Sequence, residues 1–210
     1  MKKIVSITSL AVATLLHAAD TKKFVFDCEK WDEGAPPQEV FVVDGSITVV
    51  AKDGNKALQI APAGELVEAN ALLGDSAKGS ASIEARVFGS KTGRSFPRFG
   101  IGVHGQSGYR LIVFAAKKEL QLMKGEEVIK AVPFQWTPDA WVKLKLEVKK
   151  IADDKWNISA KAWAADAAEP KDAAITHEDA TLKGQGKCSI WGTPFSGTPI
   201  LFDDVKIEIE

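Results

Sequence analysis

Flat tryptophan rings alternate with polar side chains at several places in this chain, a combination that stacks on the C–H faces of a saccharide and bonds its hydroxyl rim. Trp163 alternates in phase with Asn157, Ser159 and Lys161, and Trp191 with Ser189. Trp136 sits in the loop Gln135-Trp136-Thr137-Pro138. These three tryptophans are out of phase with the apolar pattern around them, whereas Trp141 and Trp156 fit as core residues at strand ends. Gly100 and Gly102 fall on one face of a strand that continues to His104, and a bare face of that kind either marks a bulge or sharp bend or admits a close approach by a ligand or another backbone. The expected ligand platform is therefore a single face carrying Arg86, Arg98 and His104 with Trp163 and Trp191. The alternative is that each tryptophan caps the core and each charged side chain is solvated.

Catalytic patterns are scarce. Glycoside hydrolysis uses two carboxylates about 5 to 10 Å apart, which on a strand means acids at i, i+2 or i, i+4. No Glu-x-Asp-x-x-Glu run occurs, and Glu84-x-Arg86 pairs an acid with a base instead. Beyond residue 19 the chain has two histidines, His104 and His177, neither at metal-ligand spacing. No Gly-x-Ser-x-Gly elbow is present. No catalytic residue is assigned. An acid/base set would have to be assembled in space from Glu84, His104 or Asp203.

A metal site is conceivable at the chain ends. Asp203 is in phase with Val205, Ile207 and Ile209, so it should point inward and require a partner. Asp27 and Glu29 alternate with Phe26 and Cys28. If the first and last strands pair, Asp27, Glu29 and Asp203 could hold a structural calcium ion, which prefers oxygen ligands. The alternative is that these acids cap turns. Cys28 and Cys188, the two cysteines of the chain, are each in phase with apolar neighbours. They are either a disulfide or two buried thiols, since spacing cannot give their separation.

These residues must be positioned by strands. Trp141 to Lys150 alternates apolar and charged side chains, which only a strand sends to opposite faces. Similar runs cover Phe24–Glu29, Ser80–Phe88, Phe99–Val103, Tyr109–Ala116, Glu119–Lys124, Trp156–Ala164, Lys187–Gly192 and Ile200–Glu210. Phe41–Val43, the Asp44-Gly45 turn and Ser46–Ala51 read as a hairpin. Residues 165–180 form an irregular stretch with room for a short helix. About a dozen short strands broken by Gly, Asp and Asn turns predict an all-β, two-sheet antiparallel β-sandwich. Residues 20–210 suit one such domain.

Residues 1–19 have the layout of a secretory signal peptide: Lys2 and Lys3, the apolar stretch Ile4–Leu16, then His17-Ala18-Ala19. The expected location is therefore outside the cytoplasm, periplasmic or extracellular. Without those residues the chain has 25 basic against 28 acidic side chains. This mildly acidic balance gives no electrostatic case for nucleic acid or for anionic membranes. No later segment reaches about twenty apolar residues, so no membrane insertion is expected.

Several short motifs occur in a familiar order: Phe26-Asp27-Cys28-Glu29, a Gly-Pro-Pro-containing loop, Gly108-Tyr109-Arg110-Leu111, Trp141-Val142-Lys143-Leu144, and Gly192-Thr193-Pro194 leading to Phe202-Asp203-Asp204-Val205. In these the chain resembles secreted bacterial concanavalin A-like (laminin-G-like) jelly rolls, including the 3-keto-disaccharide hydrolase domains. The resemblance spans nearly all of residues 20–210. It implies a two-sheet jelly roll with a curved inner sheet and carbohydrate, an oligo- or polysaccharide, as the ligand class. It carries over no catalytic residue, and the acid motif of laminarinase-type sandwiches is missing. The leading expectation is an exported, non-catalytic carbohydrate-binding domain. The alternatives are a glycoside-acting hydrolase and a structural or protein-interaction domain.

Overall fold

The computed structural model describes residues 21–63 and 68–210; the leader expected over residues 1–19 lies outside them. The described residues build two antiparallel sheets that face each other. The chain order is β1 (Lys22–Phe26), β2 (Val40–Asp44), β3 (Ile47–Lys52), β4 (Asn55–Ile60), β5 (Ala69–Ala77), β6 (Ala81–Phe88), β7 (Arg98–Val103) and β8 (Tyr109–Phe114). After a 3-10 turn at Ala115–Lys117 follow β9 (Glu119–Lys124), β10 (Glu127–Pro133), β11 (Val142–Ala152), β12 (Lys155–Ala164), β13 (Ile175–Asp179), β14 (Gly186–Thr193) and β15 (Ile200–Ile209).

One sheet has eight strands in the order β13-β12-β11-β6-β15-β4-β3, with β1 also paired to β15. The other has seven, β10-β9-β8-β7-β14-β5-β2. Alternation puts Val142, Leu144, Leu146 and Val148 of β11 into the same core as Phe99, Ile101 and Val103 of β7. Lys143 and Lys145 stay at the surface. Burying one face of each sheet removes apolar area from water at about 25 cal/mol per Å², and this holds the layers together.

Three local expectations change. The Asp44-Gly45 turn does not close a hairpin: β2 pairs with β5 in one sheet and β3 with β4 in the other. Gly45 has φ +80° and lies against Ala69, so the chain turns a corner between layers there. Residues 165–180 contain the edge strand β13 rather than a helix. The third change is at Asp203, and it bears on the site.

Candidate functional site

The five residues expected on one platform occupy three places. Arg86 and Trp163 lie on the outer face of the eight-stranded sheet, where Lys143 pairs with Arg86 on one side and Trp163 on the other. Arg98 and Trp191 lie on the outer face of the seven-stranded sheet, on the paired strands β7 and β14. His104 ends β7 with φ +62°. That left-handed turn breaks the alternation and sends its imidazole to the end of the sandwich. There Nε2 bonds the Gly79 carbonyl at 2.8 Å and the ring meets Trp156 edge-on. A carbonyl only accepts, so Nε2 carries the proton. Burial holds the imidazole below its ordinary pKa, outweighing that bond.

Gly100 and Gly102 do face outward, but their face is not bare. Ile112 and Trp191 from the neighbouring strands lie over them: a Cβ at Gly100 would meet Ile112 Cδ1 at 2.6 Å, and one at Gly102 would meet Trp191 Nε1 at 3.0 Å. The Trp191 ring offers no open surface. Its Nε1 donates to Ser189 Oγ at 2.7 Å, the Arg110 guanidinium lies 4.3 Å over its centroid, and the residue is 4% exposed. Arg110 is itself buried and pairs with Glu68 and Glu126, each at 3.0 Å. Arg98 lies over the Phe114 ring and reaches Met123 Sδ. Guanidinium groups thus cover both the Trp191 and the Phe114 ring on this face.

The inward orientation expected for Asp203 fails because of a bulge. Phe202 opposes Val87 and Asp203 opposes Arg86, but the next pair is Lys206 with Glu84. Asp204, at φ +49°, is the extra residue. The pattern that puts Val205, Ile207 and Ile209 in the core therefore starts only after the bulge. Asp203 faces outward, buried beneath Arg86, which pairs with it and, through Nε at 3.0 Å, with Asp204. Burial keeps the Asp203 carboxyl above its usual range despite the pull of Arg86 and of the Asp204 N–H.

The calcium arrangement does not form either. Asp27 Oδ1 accepts from the Glu29 N–H, Glu29 Oε1 accepts from the Lys56 N–H, and Asp203 is taken by Arg86. Among the described residues no three His, Cys, Asp or Glu side chains gather as a metal site. Cys28 and Cys188 are separate buried free thiols rather than a disulfide. Burial, and for Cys28 the Asp203 charge as well, pushes each thiol up to about 12. The acid/base set also falls apart. Glu84 sits 4.0 Å from Lys143, while the His104 imidazole bonds Gly79, about 20 Å from Arg86 along the rise of β6.

One open concavity remains beside Arg86. A cleft of about 600 Å³ is walled by Phe134, Gln135, Trp136 and Thr137 from the β10–β11 connection. Ala140 to Val142 line it as well, with Ala164 to Asp166 at the end of β12. The Trp141 carbonyl accepts from the Ala165 N–H at 3.0 Å, which ties the two walls together. Trp141 is half-buried, not a core residue: its ring packs against Phe88 with centroids 5.5 Å apart, and the Arg86 guanidinium lies 4.7 Å over it. Trp136 is the core residue instead, edge-on to Phe99. Its place in a loop between strands gave no parity to read. Trp163, next to the cleft-lining Ala164, is buried on the outer face and outside the apolar core cluster.

No family model and no curated protein matches the sequence. Solved structures do match in shape. The carbohydrate-binding module CBM66 from Bacillus subtilis has a TM-score of 0.55 at 15% identity, over 80% of this chain and 94% of that one. The metal-free carbohydrate recognition domain of Emp46p has 0.57 at 9% identity, over 81% and 88%. Lectin II from Ulex europaeus has 0.52 at 9% identity, over 90% and 99%. At these identities the likeness establishes the fold: a concanavalin-like jelly-roll sandwich.

Proposed function

We propose that this chain is a non-catalytic carbohydrate-binding domain whose ligand sits in the Trp141 cleft. The observation that carries the reading is Trp141, a partly exposed tryptophan held by Arg86 and lining a concavity with Gln135, Thr137 and Asp166. An aromatic surface beside a few hydrogen-bonding groups is what a sugar ring requires. The jelly-roll neighbours named for carbohydrate binding point the same way by fold analogy. Arg86 remains in the proposed site and Trp141 joins it, while Trp163, buried beside the cleft, drops out with Arg98, Trp191 and His104. The same reading has the protein act outside the cytoplasm, on the strength of the signal-like residues 1–19.

The test is binding to a glycan array and to insoluble polysaccharides by wild type and Trp141→Ala. Losing a stacked ring should weaken binding at least about tenfold, or roughly 1.4 kcal/mol, with an unchanged far-ultraviolet dichroism spectrum. Binding by the variant equal to wild type rejects the cleft. Release of reducing sugar, or turnover of a 3-keto-glycoside, would turn the reading into a glycoside-acting enzyme.

A further inference from the structure

We infer that the Trp141 cleft selects saccharides without acidic groups and favours those carrying an amine, so that uronic or sulfated glycans are excluded. This deepens the proposed function and rests on it.

The argument is the charge around the aromatic floor. Arg86 is the one cation lining the cleft among the described residues. Its guanidinium is already committed: Asp203 and Asp204 both pair with it, and its flat face covers Trp141. A ligand carboxylate reaching it would meet a charge that two carboxylates already balance. Displacing Asp203 would leave a buried carboxylate without its counter-charge. Asp166, on the opposite wall, is exposed and has no ion-pair partner among the described residues. Lys143, the next cation along this face, stands 4.0 Å from Glu84. With Arg86 balanced by Asp203 and Asp204, neither of which lines the cleft, Asp166 is the uncompensated charge of its wall, and a cleft focuses such a field on whatever enters. A hydroxyl donates to such an acceptor at no electrostatic penalty. An ammonium gains from it, and a carboxylate or sulfate is repelled.

The experiment compares four soluble hexamers at low and physiological salt by calorimetry: cellohexaose, N-acetylglucosamine hexamer, glucosamine hexamer and 1,4-linked galacturonate hexamer. The expected result is that the galacturonate hexamer binds at least about tenfold more weakly than the neutral hexamer that binds best. The glucosamine hexamer should lose affinity as salt rises, because salt screens the attraction. Asp166→Asn, an exposed change that leaves the core untouched, should narrow the gap between amine and acid severalfold. Equal or stronger binding of galacturonate overturns this inference and leaves the carbohydrate reading standing. So does an Asp166→Asn variant with an unchanged ratio. If none of the four hexamers binds, a glycan array decides: binding to acidic glycans overturns this inference alone, binding confined to neutral or amino glycans supports it, and no binding at all removes the proposed function and this inference with it.

Discussion

Asp203 stands directly across the strand pair from Arg86, one residue before the bulge that turns Asp204 out of line. The pairing explains how a carboxylate in a core-phased run comes to lie on the outer face, and it sets a contrast between neighbouring acids. Asp203→Ala removes the buried counter-charge of a partly buried guanidinium and should cost about 3 kcal/mol. Asp204→Asn removes a half-exposed charge and keeps a residue that tolerates a positive φ, so it should cost under about 1 kcal/mol. Urea unfolding of both variants checks the order. Equal losses would mean that Arg86 is not held chiefly by Asp203.

The same bulge marks where the sequence stopped being readable. Parity identified the strands and the core of β11, β6 and β7, because alternation is a local property of the chain. Sheet membership is not local. Arg86 and Arg98 are twelve positions apart, yet they stand on opposite outer faces of the sandwich, because β6 and β7 belong to different layers. Two left-handed residues, His104 and Asp204, each reset the alternation by one step. Neither is a glycine, so neither announced itself. Trp141 was legible as a strand end. What it faces depends on the 134–137 connection and on Asp166, which lies 25 residues further on.

The two outward glycines of β7 should not be equivalent. A methyl group at Gly100 would sit 2.1 Å from the Leu111 carbonyl oxygen, which is backbone of the paired strand and cannot swing aside. At Gly102 the nearest atom is Ser189 Oγ at 2.6 Å, at the end of a rotatable side chain. Gly100→Ala should therefore destabilise by about 3 kcal/mol and Gly102→Ala by about 1 to 2 kcal/mol. Thermal melts of both variants measure the difference.

The cysteines offer a test of the core that needs no mutation. Both thiols are buried in separate parts of the sandwich and are held up to about 12 by that burial. At neutral pH they are protonated, and a thiol reagent that needs the thiolate has no access. Folded protein should show no rapid labelling, with two labels per chain after denaturation without reductant. Reductant should leave the melting temperature unchanged. A mass two units low, or a melting temperature that falls with reductant, would require the disulfide.

His104 should make stability fall in mild acid. Its imidazole is buried against Trp156, and burial lowers its pKa below the ordinary 6.5 despite the Gly79 carbonyl. The unfolded chain takes up a proton near pH 6.5 that the folded chain refuses. The contribution is therefore fully present above 6.5 and drains away as pH drops towards the depressed folded value, at up to about 1.4 kcal/mol per pH unit. Asparagine accepts the positive φ of this position and does not titrate. His104→Asn should lower stability at pH 8, where the bond to Gly79 is perturbed, but lose less on going from pH 7 to pH 5.5. Urea midpoints at several pH values give both curves. Parallel curves would show that His104 takes up its proton equally in the folded and unfolded chains, and would remove its burial as the source of the acid sensitivity.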